Sequence, residues 1–166
     1  MPVIRLGASE IQYCTLLAER RNVVKEVCGI RSQRVYRGAY DSATNFEIHL
    51  IGLIGEFAVS KHFNIKVDAS VSLSGDDKIT DLTVDGVRVQ VKTRLPQKPP
   101  LYLYFNDLSL FKADRAVCTC LTGPATVHIL GWIDRERFAA KARELNFGYG
   151  KRVGVPQQEL LEMKDW

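Results

Sequence analysis

Hydrophobic and polar positions change their period near residue 65, dividing the chain into a helical first part and a strand-rich second part. Val3 to Leu6 reads as a short strand. Gly7-Ala8-Ser9 offers Ser9 as N-cap to a helix from Glu10 to Val27, with Ile11, Leu16, Leu17, Val23, Val24 and Val27 as an approximate core-facing stripe and Gly29 as its stop. Residues 30–40 show no period and read as a loop or connection. Asp41 or Ser42 caps a second helix, Ala43 to Phe63, in which Leu50, Ile51, Ile54, Phe57 and Ala58 form a broad apolar face. Gly52 and Gly55 within it each cost about 1 kcal/mol relative to alanine. Close approach of this helix to a sheet is one reason for them to be there.

From residue 65 the pattern predicts short strands at Ile65 to Val71, Thr80 to Val84, Val87 to Thr93, Tyr102 to Phe105, Ala116 to Leu121 and Val127 to Trp132. Asp85-Gly86 between Val84 and Val87 is the favoured sequence of a two-residue type I′ hairpin turn. Pairing outward from it sets Thr83 against Arg88, Leu82 against Val89 and Asp81 against Gln90. Strand alternation then puts Leu82, Val84, Val87, Val89 and Val91 on an apolar face, and Asp81, Thr83, Arg88, Gln90 and Lys92 on a polar one. Pro96, Pro99 and Pro100 impose a loop after Arg94. Asp134 to Leu145 reads as a late helix, Gly148 to Pro156 as a loop or edge region, and Gln157 to Met163 as a short helical tail. No repeat or linker divides the sequence.

Composition bounds these expectations. At 166 residues and 46% hydrophobic content the chain suits one core better than two. No run approaches the roughly 18 apolar residues that span a bilayer, and MPVIRLGASE lacks the apolar segment of a signal peptide, so the expectation is a soluble, cytoplasmic protein with no membrane partner. Cys14, Cys28, Cys118 and Cys120 have no zinc-site spacing and read as reduced core thiols. A net charge of +4 permits a phosphate-rich partner without demanding one. Arg31, Arg34 and Arg37 form one basic cluster and Arg88, Lys92, Arg94 and Lys98 another; a solvated surface accounts for either equally well.

The polar hairpin face gathers a carboxylate, an amide and an ammonium. Asp81 supplies a hard oxygen for magnesium or manganese, and Gln90 a weaker neutral one. Lys92 is placed to hold an attacking water or to steady charge on a phosphate. An ordinary amphipathic hairpin explains the same residues, with Asp81 and Lys92 as a surface pair worth about 0–1 kcal/mol. Asp76 and Asp77 read as a solvated turn, Asp85 as a turn residue, and His49, His62 and His128 show no ligand spacing. Tyr102, Tyr104 and Phe105 suit a packed strand, or stacking on unpaired bases. Arg88, Arg94, Lys98, Lys151 and Arg152 are the candidates for phosphate contacts.

Asp81 followed by Gln90-Val91-Lys92 resembles the D…(E/Q)xK core of the PD-(D/E)XK, or restriction-endonuclease-like, nucleases, with the QxK form found in Mrr-like members. Gly52-Leu53-Ile54-Gly55-Glu56-Phe57-Ala58 is similar to the helix that carries a glutamate into that core. The resemblance covers about residues 43–140. It implies an α/β fold with a central mixed sheet flanked by helices in one nuclease-like domain, residues 1–42 preceding the catalytic core and 141–166 extending it. It further implies magnesium- or manganese-dependent cleavage of DNA, endonucleolytic more than exonucleolytic, of the kind found in phage, mobile-element or repair nucleases and often carried out by homodimers. Asp81, Glu56, Gln90 and the Val91 carbonyl would hold metal, with Lys92 beside the water. With glutamine in place of the commoner glutamate, metal binding shifts toward Asp81 and Glu56, whose carboxylates should lie close enough to share one cation. Two alternatives remain: a non-cleaving nucleic-acid-binding module on the same scaffold, and an unrelated α+β interaction protein whose hairpin imitates the motif.

Overall fold

The computed structural model describes residues 1–27, 45–67, 80–96, 100–147 and 150–166. Outside them lie the Arg31, Arg34 and Arg37 cluster, Cys28 and Gly29, the Asp41 and Ser42 caps, Asp76, Asp77 and Lys98.

A short strand, β1 (Val3–Arg5), leads into helix α1 (Ala8–Val27). The helix starts two residues before the expected Glu10, because the end is satisfied from inside. The Gly7 N–H donates to Glu10 Oε2 at 2.6 Å, which is the glutamate half of a capping box, and Ser9 is already helical. Lys61 clasps the same carboxylate at 2.8 Å and ties α1 to the end of helix α2 (Asn45–His62). The packed face of α1 also differs from the expected stripe. Cys14, Leu17 and Ala18 are buried against Leu53, Ile54 and Ala58 of α2, whereas Leu16, Val23 and Val27 are exposed.

The hairpin forms as its sequence dictates. Strands β2 (Leu82–Val84) and β3 (Val87–Arg94) pair antiparallel in the expected register from Val84–Val87 to Leu82–Val89, but the expected pair of Asp81 with Gln90 does not form, because the Asp81 N–H donates to the Val89 carbonyl; Asp85 and Gly86 have φ of 50° and 81°, the left-handed pair that a type I′ turn requires. β3 then pairs in parallel with β5 (Arg115–Gly123), which pairs antiparallel with β6 (Thr126–Asp134), and β6 with β1. The five-stranded mixed sheet therefore runs β1-β6-β5-β3-β2.

Gly55 lets α2 lie directly on this sheet: a Cβ there would collide with Thr93 Oγ1 and stand 2.9 Å from Thr119 Oγ1. Beside it Val59 packs with Val89, Val91 and Val117. The opposite sheet face is covered differently from the expected flanking helix. Helix α3 (Arg135–Lys141) ends early, and the chain continues as β7 (Arg143–Asn146) and β8 (Lys151–Pro156). With β4 (Tyr102–Phe105) these make a second, antiparallel sheet of order β4-β8-β7. Phe105, Phe111 and Phe138 interlock between the layers, two rings stacked at 5.0 Å and the third edge-on to both at 5.3 Å, over Ala116, Cys118 and Ile133 of the main sheet.

The expected strand at Ile65 is absent as far as Val67, the rest of it lying outside the described residues. In place of a helical tail, the chain after β8 makes two short 3-10 turns around a bridge from Leu161 to Trp132. Among the described residues no helix is long and apolar enough to cross a membrane.

Candidate active site

The chain before β2 leaves the ladder, and side chains take over the pairing. Val89 N–H donates to Thr80 Oγ1 at 3.0 Å, Asp81 N–H to the Val89 carbonyl at 2.9 Å, and Val91 N–H to Asp81 Oδ2 at 2.7 Å. The last contact fixes the Asp81 carboxylate against the edge of β3. In an extended strand the N–H and C=O of one residue point to the same edge, so the Val91 carbonyl faces the Asp81 side as well. From Val91 to Arg94, β3 has only β5 as a ladder partner among the described residues. A cleft of about 430 Å³ lies along that edge.

Glu56 enters the cleft from α2. It is 8% exposed, and Arg21 Nη1 of α1 stands 3.6 Å from its Oε1. His49, Gly52 and Glu56, spaced i, i+3, i+7, line the cleft on one helix face. Cys14 lies beneath, fully buried; burial first, then the Glu56 charge, push its thiol up to about 12, so it remains protonated.

Lys92 arrives from the other face of the sheet, since Val91 and Thr93 are turned toward α2 and alternation sends Gln90 and Lys92 to the side of Ala116 and Cys118. Its ammonium lies 5.2 Å from the Phe105 ring centroid. With the Gln90 amide oriented by its hydrogen bonds, its oxygen accepts from Lys92 Nζ at 3.1 Å and its nitrogen donates to the Leu110 carbonyl at 3.3 Å. Gln90 therefore braces Lys92 and is not itself among the residues lining the cleft.

Arg94 also lines the cleft, held in place by β4: Nε donates to the Tyr102 carbonyl at 3.1 Å, Nη2 to the Tyr104 carbonyl at 3.0 Å, and the guanidinium carbon sits 3.6 Å from the Tyr104 ring centroid. Of the other candidate phosphate contacts, the described residues Arg88, Lys151 and Arg152 lie outside the cleft lining. Arg88 pairs with Asp114 through two hydrogen bonds of 2.6 and 3.0 Å, which hold the Asp114 carboxyl down at about 2. Lys151 pairs with Glu144 at 3.1 Å, and Arg152 is buried with Nη1 donating to the Lys151 carbonyl.

The cleft thus joins Glu56 and Asp81 to Arg21, Lys92 and Arg94. Among the described residues no three His, Cys, Asp or Glu side chains gather as a metal cluster; hard oxygen donors here come from the two carboxylates and the Val91 carbonyl. Arg21 escapes the sequence reading, although it continues the buried Cys14, Leu17, Ala18 stripe at i+7 from Cys14, a charged residue at a core-facing position. No protein-family model, curated protein or solved structure matches the chain.

Proposed function

We propose that the chain is a divalent-metal-dependent nuclease of DNA on a restriction-endonuclease-like core. The supporting observation is convergence: Glu56 from α2, Asp81 ahead of β2, and Val91 and Lys92 of β3 line one cleft, although the chain alone separates them by up to 36 positions. The donor set fits magnesium or manganese, being hard oxygens without thiolate. A divalent cation held by Glu56 and Asp81 would polarise the scissile phosphate and ease deprotonation of water.

The side chains divide the remaining work. Lys92 orients the attacking water or neutralises charge on the phosphate oxygens, and Gln90, anchored on Leu110, aims it. For Gln90 to ligate metal its oxygen has to turn away from Lys92, so the burden of cation binding falls on the two carboxylates. Arg21 balances Glu56 before a cation arrives.

A second reading, a module that binds nucleic acid without cutting it, draws on the neutrality of Gln90 and on the Arg21 counter-charge beside Glu56. Incubating plasmid and oligonucleotides with magnesium or manganese separates the two. The nuclease reading expects cleavage that Asp81→Ala abolishes and Lys92→Ala lowers by about 100- to 1000-fold. Undiminished cleavage in both variants overturns the site, and DNA binding without cleavage in any form selects the second reading.

A further inference from the structure

We infer that the cleft receives an unpaired nucleotide, which makes single-stranded DNA, or the single-stranded end of a duplex, the substrate class. The inference rests on the nuclease reading for its chemistry, and for binding on the apolar part of the same cleft lining.

The apolar residues lining this wall of the cleft are Tyr104 of β4, Ile48 and Ile51 of α2 and Leu110, with the largely buried Phe105. A duplex offers phosphates and sugars to a protein and keeps its base faces stacked on one another. Such a backbone has little apolar surface to cover this wall, whereas an unstacked base brings two π-faces and an apolar edge.

Arg94 and Tyr104 form a plate suited to it. The guanidinium lies 3.6 Å from the ring centroid and is anchored by the Tyr102 and Tyr104 carbonyls, so its plane is set before a ligand arrives and little side-chain entropy remains to be lost. Phe147 buttresses the Tyr104 ring at 5.2 Å. Arg94 has no acidic partner among the described residues, in contrast to Arg88, which is satisfied by Asp114. A planar cation that is stacked, fixed and, among the described residues, without a carboxylate, set two residues along β3 from Lys92, matches a nucleotide: base on the plate, phosphate toward the ammonium. The volume of about 430 Å³ lies within the range of small-ligand pockets and has room for one nucleotide.

The test is fluorescence anisotropy in EDTA, which holds metal-dependent cleavage off, with a labelled oligothymidylate and a duplex of the same length. The intact protein should bind the single strand about tenfold tighter than the duplex. Tyr104→Leu should lose about tenfold on the single strand, Tyr104→Phe should stay within about twofold, and neither should change duplex binding. Equal or tighter duplex binding overturns the inference, as does single-strand binding by a normally melting Tyr104→Leu protein that matches the natural one. If the leucine variant does not fold, the single-strand to duplex ratio of the intact protein decides. Single-strand preference without cleavage under magnesium would sink the nuclease reading and leave this inference standing; duplex cleavage without single-strand preference does the reverse.

Discussion

Lys92 shows how one side chain's chemical and structural roles come apart. Its ammonium touches the Gln90 oxygen and lies over the Phe105 face, while the proposed reaction places it against developing charge. Lys92→Ala should therefore lower kcat by about 100- to 1000-fold while the variant still melts in one cooperative thermal transition. A loss of stability with cleavage intact would make the residue purely structural. Cys14 offers a second check at this scale. Its thiol titrates near 9 when exposed and about 12 when folded, so its contribution to stability is complete below pH 9 and lost as pH rises from there toward 12. Thiol labelling read by peptide mass spectrometry should find Cys14, Cys118 and Cys120 protected in the native protein at pH 8 and reactive in denaturant. Gln90 is expected as a metal ligand and lies outside the cleft lining, whereas the nearness of Asp81 and Lys92 is legible because a hairpin is local. The contact between Gln90 and Lys92 is not, because i and i+2 on a strand share a face without revealing which way an amide turns.

Among the elements, α2 carries the clearest mechanical prediction, since its two glycines sit in opposite surroundings. Gly55 is pressed onto Thr93 and Thr119, whereas a Cβ at Gly52 meets nothing within 4 Å. Gly55→Ala should destabilise the protein by about 1–3 kcal/mol through overpacking, and Gly52→Ala should stabilise it by up to about 1 kcal/mol through helix propensity, both measured by urea denaturation. Equal effects at the two positions would contradict the close packing of helix on sheet. Close approach to a sheet was one reason sequence offered for these glycines, and it holds for Gly55 alone. Helix α3 was overextended because Arg143-Glu144-Leu145 carries no helix breaker; its strand state comes from pairing with β8, which sequence periodicity cannot see. Residues 148–156 read as a loop or edge from sequence for the same reason, with Gly154 and Pro156 weakening a strand pattern that β4 and β7 complete from both sides of β8.

On the scale of the whole molecule, two helices, a mixed sheet and a smaller sheet with α3 place the cleft where β3 outruns β2. The change of period separates helices from strands along the sequence, the α/β class with a mixed sheet is what the family resemblance implies, and the register of Leu82–Val84 on Val87–Val89 follows from the turn. The parallel pairing of β3 with β5 and the separate β4-β8-β7 sheet did not, since both join segments that local pattern leaves independent. The cleft needs that long-range assembly: α1 brings Arg21, α2 brings Glu56, and the edge of β3 holds Asp81. The proposed nuclease site requires Glu56 and Asp81, on separate elements, to hold one divalent cation between them. Calorimetric titration with manganese reads this out. The natural protein should show one site, lost in both Glu56→Gln and Asp81→Asn while each variant keeps its native circular dichroism; unchanged manganese binding in either folded variant would show that the two carboxylates share no cation.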